Sequence, residues 1–441
     1  MATSRRDFIK ISALASAGAI WGGYWLKATN TPVSALAEAK PWFAPNDLSR
    51  TPTYCEVCFW KCAGWVHKNE KGEIQKVTGN ELDPNCNGRF CPRGTGGVGM
   101  YHDNDRLKTP LIRTEERGKQ TFREATWDEA FSYIAGKMEK IKAEHGADCT
   151  ALFTHGSGGK YFTRLLKGFG SANIAQPSYA QCRGPREAAF IATFGMSLDS
   201  PESTDIRDTR CLVLIGSHIG ENMHNGQVQE MSDAIDKNVT IITVDPRYST
   251  AASKSKFWLP IKPATDIALL LSWMHVIINE GLYDKAYVEK YTTGFEQLKA
   301  HVQPMTPEWA YGVTTIKPEV IRETAREMGK AAPAVIIHPG RHVTWYGDDT
   351  QRLRAVAILN ALLGSWGRRG GYYIPEKPSV PAIELPPYPA VTRSWKAAMG
   401  GKYSLAEMAL ANGIVEATIP SPDRDWSVKG WLVNGTNLIE N

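Results

Sequence analysis

No block of lysine and arginine runs through this sequence, no internal repeat or long low-complexity tract interrupts it, and neither of its glycine loops matches G-x-G-x-x-G or the Walker pattern. The first absence, with a formal net charge of only +5 over 441 residues, removes any reason to assign a nucleic-acid role from charge. The second, with 42% hydrophobic and 22% charged residues, leaves a globular chain of two to four domains and excludes a disordered or fibrous one. The third means that glycine spacing alone does not identify a phosphate loop, since glycines also serve tight turns. Cysteine is scarce outside one region. Of the eight, at 55, 58, 62, 86, 91, 149, 182 and 211, five lie between Cys55 and Cys91. That crowding is no disulfide scaffold for a chain of this size and points to metal.

The amino end reads Ser4-Arg5-Arg6-Asp7-Phe8-Ile9-Lys10, then a mildly apolar run from Ile11 to about Leu26, then Ala35-Leu36-Ala37 before Pro41. Ser12, Ser16, Gly18, Gly22 and Gly23 dilute the run below the roughly 20 strongly apolar residues of a membrane span. We read residues 1–39 as a twin-arginine signal peptide in preference to a retained anchor, which implies a periplasmic protein exported already folded. Thiolates held on iron before export are protected from disulfide chemistry in an oxidising compartment.

Cys55-Glu-Val-Cys58-Phe-Trp-Lys-Cys62 has the spacing C-x2-C-x3-C, and a fourth thiol follows in Cys91-Pro92-Arg93-Gly94. Three close ligands and one distant one suit a 4Fe-4S cluster: one loop wraps three irons and a separate tight turn caps the last. Zinc is the competing reading, but its usual two knuckles would pair Cys86 with Cys91 and leave Cys62 idle. Cys86 is a bystander on the cluster reading. Arg93 beside the last ligand either tunes the cluster and bridges it to a second redox centre, or is a solvated turn residue.

From residue 126 the pattern is α/β. Thr126-x-x-Glu129 reads as a capping box, and Ala130, Phe131, Ile134, Met138 and Ile141 form one apolar helix face, expected as core. Thr150 to Thr154, the loop His155 to Gly159 and a helix through Phe169 give strand, glycine turn, helix. A second unit runs from the strand Cys211 to Ile215, through the turn Gly216-Ser217 and a helix over 224–236, to the strand Val239 to Val244, ending at Asp245-Pro246-Arg247. An acid at the end of the strand after a glycine turn is where dinucleotide folds hold ribose or base. Asp266, before the apolar helix Ile267 to Asn279, reads by itself as an N-cap.

The cysteine pattern, Cys91-Pro-Arg-Gly, Asp245-Pro-Arg, Pro263-Ala-Thr-Asp266 and Leu362-Leu-Gly-Ser-Trp-Gly-Arg-Arg-Gly-Gly371 occur in one order, and together they resemble the dimethyl sulfoxide reductase superfamily of molybdopterin oxidoreductases. The resemblance implies a molybdenum bis(molybdopterin guanine dinucleotide) cofactor beside the 4Fe-4S cluster. It makes Cys182, in Tyr179-Ala-Gln-Cys182-Arg183, the molybdenum ligand, and sets Gly156, Ser157, Gly216, Glu221, Asn222, Asp245, Arg247 and Asp266 along the guanosine-diphosphate end of one pterin. Ala264 departs from the glycine usual in its turn. Arg183 in place of histidine after the ligand argues against formate, a cysteine ligand argues against dimethyl sulfoxide reductase itself, and Pro339-Gly-Arg341-His342 to Gln351 is most similar to the polysulfide and thiosulfate reductase branch. Arg341, His342 and His155 are the candidates for a pocket that receives an anionic substrate, against bland readings as phosphate grip or structural hydrogen-bonders.

The expected architecture is α/β: a cluster domain at 45–106, a molybdopterin guanine dinucleotide domain at 151–330, and a second dinucleotide-like α/β domain from 107–150 and 331–441 into which it is inserted. The family's β-rich C-terminal domain, which holds the second pterin, is expected to be absent. The implied partners are a ferredoxin-like iron-sulfur subunit, a quinol-oxidising membrane anchor and a small sulfur-oxyanion or polysulfide substrate. Tetrathionate or an arsenic oxyanion are alternative substrates, and the alternative of another class is a truncated nonenzymatic remnant that binds the cluster.

Overall fold

The computed structural model describes residues 49–58, 60–177, 183–198, 202–217, 219–221, 225–340, 349–374, 385, 387–395, 409–411, 413–422 and 424–437. Residues 1–39, expected as a signal peptide, and four of the candidate site residues, Cys182, Asn222, Arg341 and His342, lie outside the described residues. Among the described residues no helix is long and apolar enough to cross a membrane.

Three short strands, β1 (Ser49–Tyr54), β2 (Ala63–Lys68) and β3 (Ile74–Gly79), form a sheet in chain order. Among the described residues, 49–51 with 67–75 make one compact unit and the others a second. In the first, the Asn69 side chain closes a tight turn by accepting the N–H groups of Lys71 and Glu73 at 3.0 and 2.8 Å. All that follows concerns the second.

Short helices α1 (Pro92–Thr95) and α2 (Gly97–His102) follow the last clustered cysteine, and an antiparallel pair, β4 (Leu111–Arg113) and β5 (Phe122–Glu124), leads into α3 (Trp127–His145). Thr126 caps α3 by accepting the N–H of Glu129 at 3.2 Å, while the Glu129 carboxylate pairs with Arg123, so only half of the expected capping box forms. The apolar face expected as core is mostly uncovered: Ala130 is buried, but Phe131 is 59% and Ile134 46% exposed. Periodicity marks an apolar face; it does not supply a partner for it.

Next come β6 (Thr150–Thr154), α4 (Gly159–Phe169), β7 (Ile174–Gln176) and α5 (Gly184–Phe194). A longer run follows: β8 (Cys211–Ile215), α6 (Asn225–Asp236), β9 (Thr240–Val244), β10 (Phe257–Leu259), α7 (Asp266–Asn279), α8 (Lys285–Tyr291), α9 (Phe295–Val302), α10 (Pro307–Thr314), α11 (Pro318–Ala331), β11 (Val335–His338) and α12 (Asp349–Leu362). The last elements are β12 (Ala409–Leu410), α13 (Gly413–Thr418) and β13 (Gly430–Asn434). The strands sort into two parallel sheets of four, ordered β12-β7-β6-β13 and β10-β9-β8-β11.

This sorting corrects the expected boundaries. Strands β6 and β7 pair with β12 and β13 and so leave the 151–330 block, while β11 pairs with β8 through Val335 to Cys211 and joins it. Flanking the second sheet, the Thr204 and Tyr372 backbones bridge and Asp205 N–H donates to Gly371 O at 2.8 Å. Strands β6, β8 and β9 were legible as apolar runs. Which edge a distant strand takes was not, because every parallel edge offers the same backbone groups.

The run Cys-Leu-Val-Leu-Ile of β8 shows why the second sheet is a core element. Cys211, Val213 and Ile215 pack with Leu269, Trp273 and Ile277 of α7 on one face, and Leu212 and Leu214 with Phe190 and Met231 on the other. A strand covered on both faces is apolar throughout instead of alternating.

Asp266 is the first residue of α7, not its cap. It is 7% exposed, and burial pushes its carboxyl up while Arg352 opposes that shift. Ala264, just before, sits at φ +64°, the left-handed conformation that glycine tolerates. Ala264→Gly is therefore expected to raise unfolding free energy by about 0.5–1 kcal/mol, the relief of the Cβ clash less the entropy glycine adds to the unfolded chain. Urea unfolding at unchanged slope measures it, and a lowered midpoint would contradict the strain.

Candidate functional site

The clustered cysteines are shaped by backbone geometry. Between Cys55 and Cys62 the chain closes on itself: Cys55 N–H donates to Cys62 O at 2.8 Å, and Lys61 makes the reversal at φ +50°. Cys91 is the N-cap of α1, Pro92 occupies its first position, and the Cys91 carbonyl accepts Gly94 N–H at 3.0 Å. These two devices bring Cys55, Cys58, Cys62 and Cys91 onto one pocket, with Arg93, Lys61, Phe90 and Asn225 also in its wall. None of the four is in a disulfide. Among the described residues no group of three or more His, Cys, Asp or Glu side chains is gathered as a site for a single metal ion.

Cys86 stands apart from that pocket. Fully buried, its thiol donates to Ala63 O at 3.3 Å, a structural role in keeping with the bystander reading. Burial pushes the Cys62 thiol up to about 11 against a hydrogen bond from Asn225, and it also raises Cys58, opposed by a backbone N–H and Arg93. Metal loading at those two sulfurs therefore expels protons.

At the carboxyl end of β6, His155 N–H donates to Asn434 O at 3.0 Å. Part of the His155 side chain reaches solvent, but desolvation of the rest, followed by the charge of Arg183, holds it below the usual histidine range, so the ring is neutral at pH 7. Gly156, at φ +81°, and Ser157 follow, and the Ser157 N–H is taken by the carboxylate of Glu56 from the cysteine loop. That contact between the cysteine loop and the glycine turn was not read from the sequence, where Glu56 is one spacer residue between two cysteines. The hydrogen bond to Ser157 holds the Glu56 carboxyl below its usual range.

The second set of nucleotide candidates gathers at the carboxyl ends of β8 and β9. Glu221 pairs with Arg247 at 2.7 Å and accepts Thr250 N–H at 3.1 Å; Asp245 accepts Arg247 N–H at 2.8 Å. Gly216, at φ +54°, begins the turn after β8, and Ser217 is buried with a hydroxyl that meets no partner among the described residues. A buried hydroxyl of that kind is satisfied by a bound polar group, which fits a nucleotide lying across the strand ends. Gly156 and Ser157 belong to one sheet, Gly216, Glu221, Asp245 and Arg247 to the other, and Asp266 packs by Arg352 at the start of α7.

Two further features escaped sequence reading. Asn225 and Gln229, on one face of α6, grip the loop that carries Cys86 and Arg89. In the first turn of α5, Arg186 lies 1% exposed, bonded to Glu202 and, at 2.7 Å, to Glu187; Gln227 reaches Glu202 at 3.3 Å and faces His338 at 3.2 Å. The available signal was Arg186-Glu187 standing ahead of Ala-Ala-Phe in an otherwise apolar helix, where a charge needs a buried partner.

A molybdopterin oxidoreductase family model matches residues 106–376. The chain is 31% identical to the thiosulfate reductase molybdopterin-containing subunit of Salmonella typhimurium over all of its own length and 58% of that protein. It is 30% identical to a dimethyl sulfoxide reductase of Escherichia coli over 83% of this chain and 49% of the other. The acetylene hydratase of Pelobacter acetylenicus superposes with a TM-score of 0.61 at 27% identity, over 71% of this chain and 43% of that one. The chain thus spans about half the length of the curated relatives it matches.

Proposed function

The chain belongs to the molybdopterin oxidoreductase family, within the dimethyl sulfoxide reductase superfamily, and from that premise we propose that its 441 residues bind a 4Fe-4S cluster and a molybdenum-bound molybdopterin guanine dinucleotide in an exported reductase of polysulfide or thiosulfate. The observation that carries the reading is the set of four thiols, Cys55, Cys58, Cys62 and Cys91, none in a disulfide and all on one pocket, in a spacing of three close ligands and one distant one that suits a multi-iron cluster better than the two knuckles of zinc. The identity to a thiosulfate reductase subunit supports the choice of substrate.

Bound here, the two groups would supply electron transfer and two-electron chemistry at molybdenum. The chain's own residues hold and orient them. Cys182 is the proposed molybdenum ligand; Gly156, Ser157, Gly216, Ser217, Glu221, Asn222, Asp245, Arg247 and Asp266 are the proposed cradle of the nucleotide, and Arg93 the residue between cluster and pterin. His155, Arg341 and His342 form the proposed substrate pocket. A neutral His155 accepts hydrogen bonds or passes a proton, and the arginine attracts an anion. We propose further a cluster domain over 45–106 and the two sheets as separate α/β domains, one inserted in the other. Export by the twin-arginine route to the periplasm, and work with a ferredoxin-like subunit and a quinol-oxidising membrane anchor, complete the proposal.

The protein purified at its natural length from its own host is expected to contain about four irons and one molybdenum. It is expected to reoxidise reduced viologen with polysulfide or thiosulfate in preference to tetrathionate or arsenate. Zinc in place of iron, or turnover of formate alone, would overturn the reading.

A further inference from the structure

Helix α6 crosses from β8 to β9, yet its first turn faces the cysteine loops. Three contacts hold it there. The Asn225 Nδ2 donates to Arg89 O at 2.6 Å and lies 3.7 Å from Cys62 Sγ. One turn later Gln229 donates to Cys86 O at 3.1 Å and accepts from the Arg89 guanidinium at 2.9 Å. Between them Gly226 lets the Trp60 ring come so close that a Cβ there would lie 2.5 Å from it. Residues four apart share a helix face, so Asn225 and Gln229 clasp the loop together.

The clasp decides how the Asn225 amide is oriented. An amide nitrogen has two hydrogens and its oxygen none, so the atom facing the Arg89 carbonyl must be nitrogen. One hydrogen goes to that carbonyl, which leaves the second for the Cys62 sulfur. A donor on a ligand sulfur stabilises the reduced, more negative cluster more than the oxidised one.

We propose that Asn225 is a positioning residue that raises the reduction potential of a cluster on Cys62 through an N–H···S hydrogen bond, and so ties the electron-transfer properties of the cysteine loop to helix α6. The inference rests on the cluster reading above.

The test is potentiometric titration of the natural-length holoprotein, followed by the electron paramagnetic resonance signal of the reduced cluster. Asn225→Ala is expected to lower the midpoint potential, Asn225→Asp to lower it further by adding negative charge, and Asn225→Ser, which retains a donor, to fall between wild type and Ala. Should the Ala variant lose its iron, the Ser and Asp variants carry the test. A midpoint above that of Asp in the Ser variant supports the inference, and equal midpoints with intact signals overturn it. Unchanged potentials in all three variants overturn it as well. A wild-type holoprotein without any iron signal would instead remove the cluster reading itself, a failure visible before any variant is made.

Discussion

Arg186→Ala is expected to cost about 3–5 kcal/mol of unfolding free energy, the loss typical when one member of a buried ion pair is removed. Arg186, Glu187 and Glu202 are all nearly inaccessible, at 1%, 1% and 3% exposure. Without the guanidinium the two acids share a dry site, and the folded chain survives only by keeping both protonated. Burial already pushes the Glu187 carboxyl up in the intact network, against the pull of Arg186 and Arg183. A carboxyl whose folded pKa is raised binds its proton more tightly in the native state. Its contribution is present below the unfolded value of about 4.3 and declines as pH rises through the folded one. The deficit of Arg186→Ala should accordingly be larger at pH 8 than at pH 5. Arg186→Met combined with Glu202→Gln, which removes charge of both signs, should cost less than Arg186→Ala alone. Urea unfolding of the wild type and the two variants at both pH values measures this, and equal costs for the two variants with no pH dependence would show that the network is not electrostatic.

Cys182→Ala is the substitution expected to matter most for turnover. On the proposed function this thiolate binds the catalytic metal directly. Loss of an outer-shell partner of a metal commonly costs 10–100-fold in activity, so loss of the ligand should cost more than about 100-fold. Iron content and the cluster signal should persist, because Cys182 is not among the four thiols that share the pocket between Cys55 and Cys91. Cys62→Ala should do the reverse and lose iron first. Full viologen-linked turnover in a Cys182→Ala protein would end the assignment of that residue, and loss of iron in the same protein would show that the two centres are built as one.

The helix α3 shows where a local signal stops. Its length, its Thr126 cap and its apolar stripe were all legible, and the helix forms; yet Phe131 and Ile134 remain exposed, at 59% and 46%. Asp266 is the converse case. Its position before an apolar helix resembles a cap, but the turn at Ala264 delivers it into the interior beside Arg352.

By itself the sequence determined several elements: the strands β6, β8 and β9, read from continuous apolar runs such as Cys211 to Ile215, the helices α3, α4, α6 and α7, and the cysteine spacing that places four thiols on two turns. All of these depend on residues a few positions apart, where periodicity and backbone preference act directly. Tertiary structure alone decided that β6 and β7 would pair with β12 and β13, that Arg186 would meet Glu202, and that Asn225 would reach a sulfur 163 residues away. Such pairings depend on which edge or buried charge is still unsatisfied once the chain has collapsed, a condition no local stretch of residues records.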